Sequence, residues 1–259
     1  MEDLHVSSVQ CTLHWEDRKA NLDHIEQLIS NESSSDLIVL PEMFTTGFSM
    51  KPAPIAEDHH LDSMESLQRM RQWAKHLDAA IVGSISTKDQ GKYYNRMYFV
   101  RPDGEVHWYD KYHLFTFANE DDEYSPGGSR VIVNWRGWNI LLQVCYDLRF
   151  PSFARNTITD GQPDYDAAIY SANWPAVRST PWKTLLRARA IENQCYVIGC
   201  NRVGSDGNNI EYTGDSCLLD SKGEDIAIGA PGEEMILRGS FSASELEAFR
   251  GKFPVLFDQ

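Results

Sequence analysis

The chain has 259 residues, of which 38 are Asp or Glu and 24 are Lys or Arg, giving a formal net charge of −14. Hydrophobic residues make up 42% and charged residues 24%, an ordinary globular composition that excludes disordered, collagen-like and low-complexity chains. The acidic balance, with a sequence pI near 4.9, argues against nucleic acid and anionic membrane surfaces, both of which such a charge repels.

The first element is a strand over LHVSSVQCTL, residues 4–13, followed by NLDHIEQLI, which places Leu22, Ile25, Leu28 and Ile29 on one helical face. Asp36 to Leu40 is a short, continuously apolar run, the pattern of a strand buried on both sides. Met64, Leu67, Met70, Trp73, Ala74 and Leu77 give the next helical stripe, and AAIVGSIS, residues 79–86, the next strand. NRMYFV and EVHWYD flank Pro102-Asp103-Gly104, and RVIVNW and WNILLQV flank Arg136-Gly137; both read as hairpins. A helix near residues 151–159, the strand AAIYSA, a helix over 180–193 and the strand YVIGC follow. Cys217 to Ala230 reads as a hairpin across Ser221-Lys222-Gly223, and Ser242 to Lys252 as a capped helix. Helices between apolar strands define an α/β chain, and the hairpins make its sheets mixed. No linker or internal repeat divides the sequence, so residues 1–259 are expected to form one domain.

The five cysteines are odd in number, scattered and without a CxxC pair, which predicts reduced thiols in a cytoplasmic protein. MEDLHVSS has no basic stretch leading into an apolar run, so neither a leader nor a membrane span is expected. His59-His60 lies in an acidic loop without zinc-like spacing, and phosphate-binding glycine motifs are absent, so no metal, nucleotide or other cofactor is predicted.

Chemically distinctive groups stand just after three strands: Glu42, Lys111 and Cys145. In α/β sheets, ligands bind beyond the carboxyl ends of strands. A thiol supplies a nucleophile, a carboxylate takes its proton and later activates water, and a fixed ammonium stabilises an oxyanion. Spacings of 69 and 34 residues between them do not establish convergence. A Cys–His hydrolase with His113 as the base is the alternative pairing.

LPEMFTTGF around Glu42, YDKYHLF around Lys111 and CYDLRFP around Cys145 together resemble the nitrilase, or carbon–nitrogen hydrolase, superfamily. NWPAVRSTPW, LLRARAIENQCYVIGCNRVG and Gly214-Asp215-Ser216 are similar in order and position, so the likeness spans nearly the whole chain. Within it, CYDLRFP resembles the omega-amidase and 2-oxoglutaramate amidase branch; true nitrilases usually carry Trp-Glu where this chain has Tyr146-Asp147. The resemblance implies a four-layer α-β-β-α sandwich with two mixed sheets, assembled as a homodimer or higher homo-oligomer. It further implies Glu42 as general base, Lys111 as oxyanion stabiliser, Cys145 as nucleophile, and the Tyr146 N–H completing the oxyanion hole. Glu120, six residues before Pro126, is chosen as the family's second glutamate, with Glu123 as its competitor. Arg149 stands where similar omega-amidases hold a substrate carboxylate; a structural ion pair with Asp147 or another acid of this acidic chain is its other reading. Arg178 is a second anion-holding candidate, and Trp174 and Phe44 are candidate pocket walls. The implied substrate is a small carboxylated amide such as 2-oxoglutaramate. An N-carbamoyl hydrolase using the same triad and a non-catalytic acidic binding protein on the same fold are the rivals.

Overall fold

The computed structural model describes residues 2–258 of the chain. Its first sheet runs in the order Met235–Phe241, Leu4–Gln10, Leu37–Val39, Ala80–Asp89, Lys92–Val100, Val106–Asp110. Leu4–Gln10, Leu37–Val39 and Ala80–Asp89 are mutually parallel, and the strands outside them pair antiparallel. The second sheet repeats this plan: Tyr196–Asn201, Ala167–Ala172 and Trp138–Val144 are parallel. Cys217–Leu219 and Asp225–Ile228 flank them on one side and Val131–Trp135 on the other, all antiparallel.

The period of two along the first sheet separates two cores. Val6, Leu37, Val39, Val82, Met97 and Phe99 point toward the second sheet and share a cluster with Ile140, Leu142 and Ile169. Their neighbours Val9, Ile38, Ile81 and Tyr98 point the other way. There they meet Leu22 and Ile25 of the helix Arg18–Ile29 and Leu67, Met70 and Trp73 of the helix Glu65–Leu77. On the far side, the helices Ser179–Asn193 and Ala243–Lys252 press Trp182, Leu186 and Leu246 onto the second sheet. The result is the α-β-β-α sandwich with two mixed sheets. Both faces of Leu37–Val39 are buried, which is why its sequence is continuously apolar rather than alternating.

Three local features differ from the sequence-based expectation. The helix after Phe150 ends at Ala154, because the buried Asn156 side chain ties the backbone elsewhere. Its Nδ2 donates to the Tyr165 and Asn193 carbonyls and its Oδ1 accepts from the Tyr165 N–H, bonds that compete with a continuing helix. The last helix does begin after Ser242, but Asp3 accepts the Ala243 N–H at 3.0 Å while the Ser242 hydroxyl pairs with Ser244. Met235–Phe241, unforeseen as a strand, pairs residue for residue with Leu4–Gln10. Among the described residues no helix is long and apolar enough to cross a membrane, and all five cysteines are buried free thiols.

Candidate active site

Four strand ends supply one cluster. Leaving Leu37–Val39, the chain is fixed by the Leu40 N–H on the Val82 carbonyl (2.7 Å) and the Met43 N–H on Ser84 Oγ (2.8 Å). Between them Glu42 is fully buried. Its Oε1 accepts from Asn95 Nδ2 at 2.7 Å and Lys111 Nζ at 2.9 Å, and its Oε2 from the Asn173 N–H at 2.8 Å. The Asn173 side chain also donates to the Glu42 carbonyl at 2.6 Å.

Lys111 follows Val106–Asp110 and is fixed at both backbone groups. Its N–H donates to the Asn95 carbonyl (3.0 Å), and its carbonyl accepts from the Gly127 N–H (2.9 Å). A Cβ on Gly127 would sit 2.1 Å from the Asp110 carbonyl oxygen, so only glycine allows this approach. The Lys111 ammonium also contacts both oxygens of Glu120, at 2.8 and 3.1 Å. Glu120 opens a one-turn helix over Glu120–Glu123, and Glu120 alone of its four acids is buried, accepting the Phe115 N–H at 2.6 Å. The structure thus brings Glu120, not Glu123, to Lys111 and Glu42.

Cys145 ends Trp138–Val144 with φ +47°, a left-handed backbone uncommon for a side chain with a Cβ. The chain then enters a short 3₁₀ helix, Cys145–Arg149. In such a turn the first N–H groups, Tyr146's included, have no partner within the helix. Burial, then the Glu42 carboxylate, pushes the thiol well above its ordinary range, with Lys111 opposing. Burial alone would lower the Lys111 pKa, but Glu120, Glu42 and Cys145 outweigh it and hold the ammonium above its usual value. Glu120 is raised, by burial first and by Glu42, against the pull of Lys111.

Cys145 opens onto a cavity of about 440 Å³. Tyr146, Arg149, Trp174 and Arg178 line it as well. The Arg149 guanidinium lies 5.0 Å from the Trp174 ring centre, and Arg178 lies 5.3 Å from that of Phe115. Among the described residues neither arginine has a carboxylate within ion-pairing distance, so Arg149 is not bound to Asp147. Phe44 departs from its expected place. It packs in the core beneath the helices, against Gly83, where a Cβ would come within 2.8 Å of its ring, and Phe48 lines the cavity instead. His113 directs Nδ1 to Asp147 at 2.9 Å and stacks on Phe150 with ring centres 3.7 Å apart. Among the described residues no cluster of His, Cys, Asp and Glu is arranged to hold a metal ion.

Asn95, Asn173, Asp147 and Gly127 support this cluster; the sequence marks Asp147 only as part of the CYDLRFP motif and as a possible partner of Arg149, and assigns the other three no role. Asn95 left a signal of its own, a polar residue two positions before Met97 on a face that otherwise enters the inter-sheet core.

The carbon-nitrogen hydrolase family model matches residues 5–250. The chain belongs to the carbon–nitrogen hydrolase family. This hydrolase is 46% identical to the omega-amidase YafV of Yersinia enterocolitica, covering 100% of the chain and 97% of that protein. It is 33% identical to the 2-oxoglutaramate amidase of Bacillus subtilis, covering 98% and 96% respectively. It superposes with a TM-score of 0.96, at 42% identity and over 100% and 98% of the two chains, on XC1258 of Xanthomonas campestris. That structure is described as a CN-hydrolase superfamily protein with an arsenic adduct in its active site.

Proposed function

We propose that this carbon–nitrogen hydrolase is a cysteine-dependent amidase for small carboxylated amides, foremost the omega-amides of 2-oxo acids. The observation that carries the reading is the fully buried Glu42–Lys111–Glu120 cluster acting on a thiol at a cavity wall. Glu42 takes the thiol proton as Cys145 Sγ adds to the amide carbon, because a thiol held above its ordinary pKa needs a base at the moment of attack. The oxygen that gains the electron pair is stabilised by Lys111 Nζ and the Tyr146 N–H. Collapse breaks the C–N bond, the proton on Glu42 passes to the nitrogen, and ammonia leaves a Cys145 thioester. Water, deprotonated by Glu42, then adds to the thioester and releases the carboxylic acid and the thiol. Glu120 keeps Lys111 charged and in place.

Two cavity arginines without ion pairs among the described residues, in a chain of net charge −14, support an anionic substrate, since guanidinium grips a carboxylate with two parallel bonds. Relatives named omega-amidase and 2-oxoglutaramate amidase support the acyl group. The reaction 2-oxoglutaramate plus water to 2-oxoglutarate plus ammonia would remove the amide left when glutamine donates an amino group. Transamination in methionine salvage is one such setting, and the cytoplasm its place. Residues 1–259 act as one catalytic domain, and the exposed Phe117, Val177 and Phe253 favour a homodimer or larger assembly, which light scattering would reveal.

The test is ammonia release from 2-oxoglutaramate, succinamate, an N-carbamoyl amino acid and a simple nitrile, with Cys145→Ala as control. Cys145-dependent release from the first two is expected. Release from the carbamoyl compound alone would make the protein an N-carbamoyl hydrolase. Silence on every amide, with Cys145 no more reactive than Cys195, would reduce it to a binding protein.

A further inference from the structure

Asp147 is fully buried two residues after Cys145, and four donors converge on it. Its Oδ2 accepts from the Val144 N–H at 3.0 Å and the Tyr109 hydroxyl at 2.7 Å. Its Oδ1 accepts from the His113 N–H and from His113 Nδ1, both at 2.9 Å. Tyr109 in turn accepts the Tyr112 N–H at 3.1 Å. Val144 immediately precedes Cys145, while Tyr109, Tyr112 and His113 bracket Lys111. One carboxylate therefore joins the turn that carries the thiol, which belongs to the second sheet, to the segment that carries the ammonium, which belongs to the first.

We propose that Asp147 is a positioning residue that sets the distance between Cys145 and Lys111, with Tyr109 and His113 as the partners through which it acts. It touches neither substrate nor reacting atoms. The donor count explains the residue type. Only a carboxylate offers acceptors on both oxygens, whereas an asparagine would turn its NH2 toward one pair of donors. The left-handed backbone at Cys145 makes such a tie necessary, because a strained nucleophile turn relaxes unless the surroundings over-determine it. The same bonds give His113 a task other than that of general base.

The inference rests on Cys145 and Lys111 acting as proposed above, so its test includes a readout that needs no substrate. Asp147→Asn, Tyr109→Phe and His113→Ala are compared with the wild-type chain in ammonia release and in alkylation of Cys145 by iodoacetamide, located by mass spectrometry. In folded Asp147→Asn, kcat should fall about 10²-fold, as misplacing catalytic groups by an ångström does. KM should stay within about threefold of wild type, because the cavity arginines do not bond to Asp147. Alkylation of Cys145 should slow in parallel, and Tyr109→Phe and His113→Ala should each show a smaller loss of the same kind. A folded Asp147→Asn with wild-type kcat would overturn the proposal. So would a stability loss with alkylation and the kcat-to-KM pattern unchanged, which would make Asp147 merely structural. If Asp147→Asn does not fold, the two single-donor variants decide, and wild-type kcat and alkylation in both would refute it. Slowed alkylation in a chain that hydrolyses no amide would sink the substrate reading and leave the clamp standing.

Discussion

Lys111→Met keeps the length of the side chain and removes its charge, leaving Glu42 and Glu120 fully buried without their shared cation. Asn95 Nδ2 would be the remaining donor common to both, with the Asn173 and Phe115 N–H groups on their outer oxygens. Breaking a buried ion pair by deleting one partner costs about 3–5 kcal/mol. At roughly 2–4 °C per kcal/mol for a chain of this size, the melting temperature should drop by about 6–20 °C at pH 8. The loss should depend on pH in a defined direction. Burial and Glu42 already hold Glu120 above the usual carboxylate range, so the native state binds that proton more tightly than the unfolded chain does. Such a group contributes fully to stability below its unfolded pKa, and the contribution is lost as pH rises through the native value. Without Lys111 the upward displacement grows, so the deficit should be smaller at pH 5 than at pH 8. Thermal unfolding of wild type, Lys111→Met and Lys111→Met/Glu120→Gln at both pH values measures it, with the double variant regaining part of the loss. A deficit below about 1 kcal/mol, or one equal at both pH values, would refute the picture of two carboxylates held by one ammonium.

Other perturbations separate support from chemistry. Gly127→Ala should cost about 1–3 kcal/mol and lower kcat by shifting the strand end that carries Lys111, while Gly128→Ala, with open space around its Cβ, should do neither; melting and turnover compare them. Arg149→Leu should raise KM for succinamate by about 10–100-fold, the worth of a charge-assisted bond, and spare a short neutral amide; equal losses on both would make Arg149 structural. Because the Cys145 thiol lies well above its ordinary range, its thiolate fraction keeps growing beyond the usual thiol pKa. Iodoacetamide labelling should therefore accelerate up to pH 9 without levelling, and a plateau near neutrality would show a thiolate at rest.

What could be read from the sequence was whatever sits next to a strong local pattern. Glu42 and Cys145 each follow an apolar run that can only be a buried strand, Lys111 follows the half-exposed strand Val106–Asp110 of a hairpin, and the family likeness gave all three their roles. Their supports depend on pairing across long separations. Asn95 serves Glu42 and Glu120 only because Lys92–Val100 lies between Ala80–Asp89 and Val106–Asp110, and Asp147 meets Tyr109 only when the two sheets close. Phe44 was misplaced for the same reason: the residue that makes room for its ring, Gly83, is remote in sequence. Met235–Phe241 carries no clear strand pattern because Arg238 and Gly239 interrupt it, as an edge strand tolerates.

The cluster is divided between the sheets. Glu42 and Lys111 leave the first, while Cys145 and Asn173 leave the second, and the bonds that unite them cross the sandwich. A newly made chain that has folded one half therefore carries either a thiol without its base or a base without its thiol. During refolding, turnover should return only once the two sheets have packed into their shared core. Until then the nucleophile is no more dangerous to its surroundings than any other cysteine.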